Sequence, residues 1–230
     1  MGKQIDIGRA LANLPLFQRL GESEINHLAV GTCEIGLSKG RILFQKGALL
    51  NGFYVVVCGQ IKLAVSSPQG NEKVVSIAGP WESFGEAIMF LERPSLVFAQ
   101  ALEDSRLLSI AKQGIFAAID HDTTFARRML AGLSMHLNGL VQDVENYSLY
   151  SSTERVIGFL LQLAGAPIKG PMDIELPASK HIIASRLNLT PETLSRVLHD
   201  LSESRLISVK GRHITVLDVM RLTQFNGPIH

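Results

Sequence analysis

Cysteine and long apolar runs are scarce in this chain of 230 residues, and their scarcity excludes several classes of protein. The two cysteines, Cys33 and Cys58, cannot build a disulfide framework or a four-cysteine metal site. Because both lie among apolar neighbours, we expect them to be buried structural thiols. No apolar run is long enough to span a membrane, and residues 1–6 lack the apolar segment of a signal peptide. These absences predict a cytoplasmic protein with no membrane partner.

Sequence motifs for catalysis are missing as well. The chain has no G-x-S-x-G elbow, no Walker loop, no histidines at metal-ligand spacing and no Cys/His pair in a plausible order. We therefore predict no catalytic residues and no enzyme, and we assign no metal site.

The overall charge gives no sign of a nucleic-acid partner, but its distribution does. Net charge is +1, from 22 Lys and Arg against 21 Asp and Glu, and the 46% hydrophobic content is typical of a globular protein with room for two domains. Residues 186–212 nevertheless carry five basic side chains against three acidic ones. This local excess suits a small phosphate-contacting surface, and a solvated face without a partner explains it nearly as well.

The hydrophobic periodicity changes along the first half of the chain. Residues 7–31 predict packing helices, whereas short β-rich runs follow from Glu34 to about Leu108, separated by turn signals such as Asn51-Gly52. Strands at this spacing are typical of a sandwich or barrel. The predicted strands are residues 41–44, 52–57, 60–65, 73–78, 95–101 and 106–110, and a short helix follows at 112–119.

Residues 122–149 predict one long helix with an apolar stripe in steps of three and four. The stripe consists of Leu130, Leu133, Leu137, Leu140, Val144 and Tyr147. This spacing is typical of a coiled-coil seam and predicts a homodimer. The alternative is that the stripe packs back on the β-rich region.

The last third of the chain predicts a winged helix. Ser151 and Glu154 form a capping box that opens a helix through residue 164. A short strand at 173–176 and a helix at 180–187, capped by Ser179, come next. Residues 206–217 predict a β-hairpin that turns at Lys210-Gly211, which supplies the wing.

The second helix of this region, residues 190–201, has two faces with different chemistry. Thr190 is a good N-cap and Pro191 occupies the first helical position, so the start of the helix is well defined. One face carries an apolar stripe for packing: Leu194, Val197, Leu198 and Leu201. The other face is polar: Glu192, Ser195, Arg196 and His199. Two helices joined by a turn of about three residues, the second with a polar free face, predict a helix-turn-helix.

A β-roll, a long dimer helix and a winged helix in this order resemble the CRP/FNR family of bacterial transcription regulators. Phe84-Gly85-Glu86-Ala87 resembles the family's phosphate-binding cassette, and Glu192-x-x-Ser195-Arg196 matches the motif of its FNR branch. Within the family the closest likeness is to the Dnr-type regulators that answer nitric oxide in denitrification. The resemblance implies an α+β fold: a cyclic-nucleotide-binding-like β-roll (double-stranded jelly roll) at 1–121, a dimerisation helix at 122–149 and a winged helix-turn-helix at 150–230.

By this resemblance, Glu192, Ser195 and Arg196 enter the major groove of double-stranded DNA and read a TTGA-type half-site. The chemistry agrees, since Arg donates bidentately to guanine, Glu accepts from cytosine and Ser approaches a base edge. A surface ion pair between Arg196 and Asp200 is the alternative. Phosphate contacts, which position the protein without specifying sequence, are predicted for Thr190, Arg186, Lys210 and Arg212.

The resemblance also implies an effector pocket beside the cassette. Its predicted lining is Gly85, Glu86, Ser95, Leu96, Leu137, Leu140 and Val141. In the cyclic-nucleotide branch an Arg neutralises the cyclic phosphate, whereas Ser95 stands at that place here and Leu96 follows. The polar pair that meets adenine in that branch falls at Leu140 and Val141. The phosphate and the base of a cyclic nucleotide would lack polar partners in such a pocket, so the sequence disfavours a cyclic nucleotide as the effector.

Other family effectors can be compared in the same way. An iron–sulfur cluster needs four cysteines and is excluded by two. The carbon-monoxide-sensing branch places Cys and His in the segment aligned with 84–92, which contains neither. Haem with nitric oxide as the signal is the hypothesis that the Dnr likeness suggests, with His136, His121 and His27 as candidate axial ligands. A lone histidine on an amphipathic helix is more often solvated.

The likeness extends to partners and mechanism. The loop at residues 67–73 corresponds to loops that touch RNA polymerase in the family, and a plain exposed hairpin turn is the alternative. Effector binding is expected to change the packing of 122–149, and with it the spacing of the two reading helices, by a population shift. The alternative functions are a cyclic-nucleotide-responsive regulator and a cyclic-nucleotide-binding regulatory subunit of another protein, and the winged helix argues against the second.

Overall fold

Two four-stranded antiparallel sheets occupy the first part of the described chain, and a three-stranded sheet occupies the last. The computed structural model describes residues 5–14, 17, 21–67, 69–70, 72–165 and 171–225, apart from the side chains of His136 and Tyr147. The chain divides into two compact units, the first ending at Asn138 and the second beginning at Gly139. Residues 1–4 and two residues of the 67–73 loop, Pro68 and Asn71, were used in the sequence predictions and lie outside the described residues.

The first unit follows the predicted order of helices, strands and helix. Its elements are α1 (Ile7–Ala12), α2 (Glu22–Val30), β1 (Thr32–Leu37), β2 (Ile42–Phe44), β3 (Gly52–Cys58), β4 (Ile61–Ser66), β5 (Glu72–Ala78), β6 (Ser83–Phe84), α3 (Glu86–Leu91), β7 (Phe98–Ala101), β8 (Ser105–Ala111) and α4 (Lys112–His121). The long helix α5 (Thr123–Leu149) continues from the first unit into the second. The strands pair in the orders β1-β8-β3-β6 and β2-β7-β4-β5.

Strand β3 is buried on both faces, which accounts for its unbroken apolar sequence. Phe53 and Val55 belong to a core cluster that the helices complete. Val56, which follows Val55 along the strand, points the other way and packs with Phe44 and Phe84 in a second core cluster. A strand covered on both sides needs apolar residues at successive positions instead of alternate ones.

The prediction that Cys33 and Cys58 are buried is wrong, because both thiols are exposed. Cys33 lies on β1, an edge strand of its sheet. Cys58 is the last residue of β3 and follows an irregularity in the pairing with β8. Apolar neighbours in the sequence were therefore a poor guide to burial, because one cysteine lies on an edge strand and the other at the end of a strand.

The segment around residue 95 also differs from its prediction. The strand predicted from residue 95 begins only at Phe98, because Ser95–Val97 form a turn. Within that turn the Ser95 hydroxyl donates to the Val97 carbonyl over 2.7 Å, and the Ser95 N–H donates to the Ala48 carbonyl over 2.8 Å. The helix α3, which follows the cassette glycine, was not predicted.

The second unit is a winged helix. Its elements after α5 are α6 (Ser152–Ala164), β9 (Met172–Glu175), α7 (Lys180–Arg186), α8 (Pro191–Glu203), β10 (Ile207–Lys210), β11 (His213–Val216) and α9 (Val219–Thr223). The predicted capping box is present, with Glu154 accepting from the Ser151 N–H over 2.7 Å. Ser179 occupies the N-cap position of α7 as predicted, but its side chain makes no capping hydrogen bond. The wing turns at Gly211, which adopts a φ of 65° that favours glycine.

Candidate DNA-binding surface and effector cavity

The start of α8 is fixed by local hydrogen bonds. The Thr190 hydroxyl accepts from the Thr193 N–H over 3.2 Å, and Pro191 is the first helical residue. In the preceding turn, Asn188 adopts a φ of 56°, a conformation that Asn tolerates better than most residues. The Leu189 N–H donates to the Ala184 carbonyl over 2.9 Å, which ties this turn back to α7.

Arg155 is a residue of this surface that the sequence reasoning missed. From α6 it donates through Nη1 to the carbonyls of Leu187 and Asn188, both over 3.2 Å. Its Nε donates to the Tyr150 carbonyl over 3.0 Å. Arg155 thus satisfies the first two carbonyls after α7 and holds the turn between the two helices. No local pattern in the sequence signals a contact across 33 residues.

The two faces of α8 separate as the sequence predicts. Its apolar residues are at most 3% exposed: Leu194, Val197, Leu198 and Leu201. Glu192, Ser195 and Arg196 are exposed together on the opposite side. None of the ion pairs found among the described residues names Arg196.

Glu192 is held in its charged form at the start of α8. Hydrogen bonds from its own N–H and from the Thr190 hydroxyl lower the pKa of the Glu192 carboxyl below its ordinary value, and the nearby His181 lowers it further. A carboxylate in the first turn is also stabilised by the helix dipole. Glu192 therefore presents a hydrogen-bond acceptor at neutral pH.

The predicted phosphate-contacting residues fall into two groups. Lys210 and Thr190 are exposed, whereas two arginines already have protein partners. Arg186 pairs with Asp143 of α5 at 2.8 Å, and Arg212 donates to the Leu176 carbonyl over 3.0 Å. The sequence offered no sign of these partners, because each is distant along the chain. Neither arginine is a free phosphate ligand in this structure.

A cavity of about 300 Å³ opens in the first unit beside the N-terminal half of α5. Its position differs from the predicted effector pocket, of which only Glu86 lines it. The lining residues are Leu14, Val55, Trp81, Ser83, Glu86, Arg128, Met129, Ala131, Gly132, Leu133 and Met135. The sequence carried one signal for this site, since Arg128 lies on the same helical face as the buried Phe125 and Met129.

Comparison with known proteins decides the family. A cyclic nucleotide-binding domain model matches residues 34–122, and a Crp-like helix-turn-helix domain model matches residues 154–225. The anaerobic regulatory protein of Pasteurella multocida is 32% identical over 200 residues, which cover 83% of this chain and 71% of the relative. This chain belongs to the CRP/FNR family.

Solved structures agree with membership of the CRP/FNR family. DNR from Pseudomonas aeruginosa is 31% identical, with a TM-score of 0.52 over 98% of this chain and all of that one (100%). FixK2 from Bradyrhizobium japonicum shares the fold, with a TM-score of 0.74 at 22% identity over 86% of this chain and 99% of that one. The predicted fold and DNA-binding regulator are confirmed. The Dnr-type branch is one neighbour among many.

In this CRP/FNR chain the backbone of the cassette favours glycine at position 85. Gly85 has a φ of 96°, and a side-chain Cβ there would lie 3.2 Å from Leu50, so a larger residue would be strained. Glu86 is 6% exposed and Ser95 is 2% exposed, but the Ser95 hydroxyl is engaged by its own turn. Leu96 is 77% exposed and lines no enclosed site.

The structure describes the side chains of two of the three candidate haem ligands of this CRP/FNR chain, His27 and His121. His27 places Nδ1 2.8 Å from the Ser23 carbonyl of its own helix, and His121 is exposed. The side chain of His136 lies outside the described residues. Within the part of the chain that the structure describes, no group of three or more His, Cys, Asp or Glu residues is placed to hold a metal ion. Among the same residues no helix is long and apolar enough to cross a membrane.

The predicted dimer seam is uncovered in the single chain. The exposed members are Leu130, Leu137, Leu140 and Val144, at 48–64%. Leu133 is partly buried, and the side chain of Tyr147 lies outside the described residues. Only earlier residues of α5, Phe125 and Met129, pack into the core of the first unit. Val141, predicted for the effector pocket, is 58% exposed.

Proposed function

We propose that this CRP/FNR regulator binds a TTGA-type palindrome as a homodimer and is gated by an effector in its first unit. The observation that carries the proposal is the polar face of α8, where Glu192, Ser195 and Arg196 are exposed together above a buried apolar face. An exposed face of directed donors and acceptors on the second helix of a helix-turn-helix is the arrangement that reads base edges in the major groove.

The three side chains supply complementary contacts for such a half-site. Arg196 can donate two hydrogen bonds to guanine O6 and N7, and the ionised Glu192 can accept from cytosine N4. Ser195 approaches a neighbouring base edge. Thr190, at the N-cap of α8, and Lys210, at the end of β10, are exposed and supply phosphate contacts. Arg186 and Arg212 join them only if DNA displaces their present partners.

The homodimer is supported by the uncovered apolar stripe of α5. A second copy of the same helix buries that stripe and relates two α8 helices by a two-fold axis. Half-sites one helical turn apart, about 34 Å, then match the two reading helices. An effector acts by favouring one packing of α5 over another, since only differential affinity shifts such an equilibrium.

A gel mobility shift assay with a TTGA-N6-TCAA duplex tests whether the protein recognises this DNA sequence. The wild-type protein is expected to retard this duplex and not a scrambled one, and Arg196→Ala loses about 1–3 kcal/mol per half-site. Arg221→Ala is the matched control, because Arg221 is an exposed arginine of α9 in the same unit. Equal affinity for the scrambled duplex, or equal losses from the two variants, contradicts the proposal.

The identity of the effector has two sequence-based candidates. The match of residues 34–122 to the cyclic nucleotide-binding domain favours a cyclic nucleotide, although Ser95 and Leu96 replace the expected phosphate clamp. Calorimetry with cyclic AMP and cyclic GMP decides this point. The hypothesis that the protein uses haem to sense nitric oxide is tested by titrating haem into the protein. If the Soret band does not shift, this hypothesis is wrong. We also propose that the loop at residues 67–73 contacts RNA polymerase.

A further inference from the structure

One guanidinium nitrogen in the lining of the cavity beside α5 has no hydrogen-bond partner among the described residues. Nη1 of Arg128 is buried and makes no hydrogen bond to any described residue. A buried guanidinium nitrogen without an acceptor costs free energy, and in native proteins such a group calls for an explanation. Arg128 and the cavity share the same space, since Arg128 is one of its lining residues. The unsatisfied donor and the empty volume therefore point to the same ligand.

The remaining walls define the rest of that ligand. Val55 is 1% exposed and Met129 is 4% exposed, so the wall that they form is dry and apolar. Gly132 lies on α5 three residues after Met129, and nothing approaches its Cβ position within 4 Å, which leaves room for a ligand chain. A volume of about 300 Å³ is at the lower end of known small-molecule sites, about 300–1,000 Å³, and suits a single ring or a short chain.

Glu86 limits the charge of the ligand. Its side chain lines the same cavity and the residue is only 6% exposed. A carboxylate in the same lining as Arg128 disfavours a ligand with two negative charges, because like charges in a site of low polarity repel. A ligand with one negative charge meets less repulsion from Glu86 than a dianion does, and Ser83 adds a hydroxyl to the lining.

The rim of the cavity is held in an uncommon backbone conformation. Trp81 has a φ of 68°, which is rare for a bulky residue. Its N–H donates to the Val56 carbonyl over 2.7 Å, and the Val56 N–H donates to the Glu82 carbonyl over 3.0 Å, so strand β3 maintains the conformation. Strained positions of this kind cluster at ligand sites.

We propose that this cavity binds a small amphipathic acid, with one carboxylate on Arg128 and an apolar ring or chain against Val55 and Met129. Guanidinium is the side chain best suited to a carboxylate, which it binds through two parallel hydrogen bonds. The cavity involves α5, so such a ligand is placed to bias the packing of that helix, a consequence that rests on the proposed gating of DNA binding.

Octanoate and the fluorescence of Trp81 test the binding step directly. Trp81 is the one tryptophan of the chain and lines the cavity, so the emission reports on this site alone. Octanoate is expected to change the emission saturably, and 1-octanol, which has the same chain without the charge, binds at least about tenfold more weakly. Equal affinities for the two probes, or no saturable change with octanoate, overturns the proposal.

Two arginine variants test whether the charge of Arg128 itself, and not any arginine on this helix, is needed to bind octanoate. Arg128→Met is expected to weaken octanoate about 10- to 100-fold while leaving octanol unchanged. Arg127→Met is the matched control, because Arg127 is the exposed neighbour on the same helix. Equal octanoate affinity in wild type and Arg128→Met contradicts the assignment of the carboxylate to Arg128.

Thermal unfolding distinguishes a ligand-binding arginine from a structural one. Without ligand, Arg128→Met is expected to raise the Tm by about 2–4 °C, because it removes an unsatisfied buried donor. Octanoate is expected to raise the Tm of the wild type and not that of the variant. A lower Tm for ligand-free Arg128→Met overturns the proposal, since Arg128 would then stabilise the fold itself.

The fluorescence and Tm measurements need no DNA. If octanoate fails to bind while the TTGA duplex is still retarded, the ligand assignment is wrong and the proposed function stands. If octanoate binds through Arg128 while no sequence-specific retardation is found, the ligand assignment stands and the DNA reading is wrong.

Discussion

Helices α5 and α8 each leave one face uncovered, and the two faces have opposite chemistry. The free face of α8 carries Glu192, Ser195 and Arg196, whereas α5 exposes Leu137 and Val144, each at 64%. A polar face is stable in water and stays available to a polar partner. Exposed apolar area instead costs about 25 cal/mol per Å² relative to burial, so it favours association. The difference supports the proposal that the polar surface reads DNA and the apolar surface joins two subunits.

Charging the α5 stripe gives the largest expected effect. Leu137→Lys with Val144→Lys places cations in the proposed seam, so we expect a monomer that binds the palindrome roughly 10²–10⁴-fold more weakly, because the two half-sites no longer act together. Light scattering and gel shift measure mass and affinity. Folding of the single chain should be unaffected, since both side chains are already exposed.

The control for this double variant lies on the same helix. Gln142→Lys adds a charge at an exposed position outside the stripe and should leave a dimer. A monomeric wild-type protein, or a double variant that stays dimeric, would show that the apolar face of α5 serves another purpose.

Truncating the buried face of α8 comes next in magnitude. Leu201 is fully buried, so Leu201→Ala should lower the free energy of unfolding by about 2–5 kcal/mol in urea denaturation followed by circular dichroism. Arg196→Ala should change it by less than about 0.5 kcal/mol while weakening DNA binding. The reverse pattern would mean that the two faces of α8 have been assigned the wrong way round.

Removing the N-cap of α8 has a smaller effect. Thr190→Ala eliminates the hydrogen bond to the Thr193 N–H and should lower the free energy of unfolding by about 1 kcal/mol. Thr190→Ser keeps the acceptor and serves as the control. If thermal unfolding gives the same Tm for wild type and Thr190→Ala, the hydroxyl does not stabilise the start of the helix.

The pH dependence of Glu192 is the smallest expected effect. Its folded pKa is lowered, so its contribution to stability is present above the unfolded pKa and is lost as the pH falls through the folded pKa. Glu192→Gln should therefore be less stable than wild type at neutral pH and converge with it in acid. NMR titration of Glu192 checks the direction, and an unlowered pKa would contradict the hydrogen bonds at this helix start.

The amphipathic pattern was sufficient to predict α8 and its faces. Residues spaced at i, i+3, i+4 and i+7 must share a side of a helix, so Leu194 and Leu201 had to be buried together if either was. Thr190 and Pro191 marked the start by chemistry local to the chain. The capping box of Ser151 and Glu154 was predictable for the same reason, since the two residues lie within one helical turn.

The partners of the basic residues were not predictable. Arg186 meets Asp143 and Arg155 meets Asn188 across stretches of chain whose spatial arrangement only folding fixes. The exposure of Cys33 had the same cause, because burial depends on which layers cover a strand. The sequence could place Arg128 on the apolar side of α5, but it could not reveal that its Nη1 has no described acceptor.

The sequence by itself therefore determined the order of elements, the caps and faces of α8, and the apolar stripe of α5, because each depends on residues within a few turns. Tertiary structure decided which arginines are paired, where the cavity opens and which side chains line it. Those features arise from contacts between residues far apart in the chain. The local hydrophobic pattern does not determine how close such residues come in the folded protein. Glu86 shows both contributions: the sequence identified it as part of the cassette motif, and the structure placed it in the lining of the cavity.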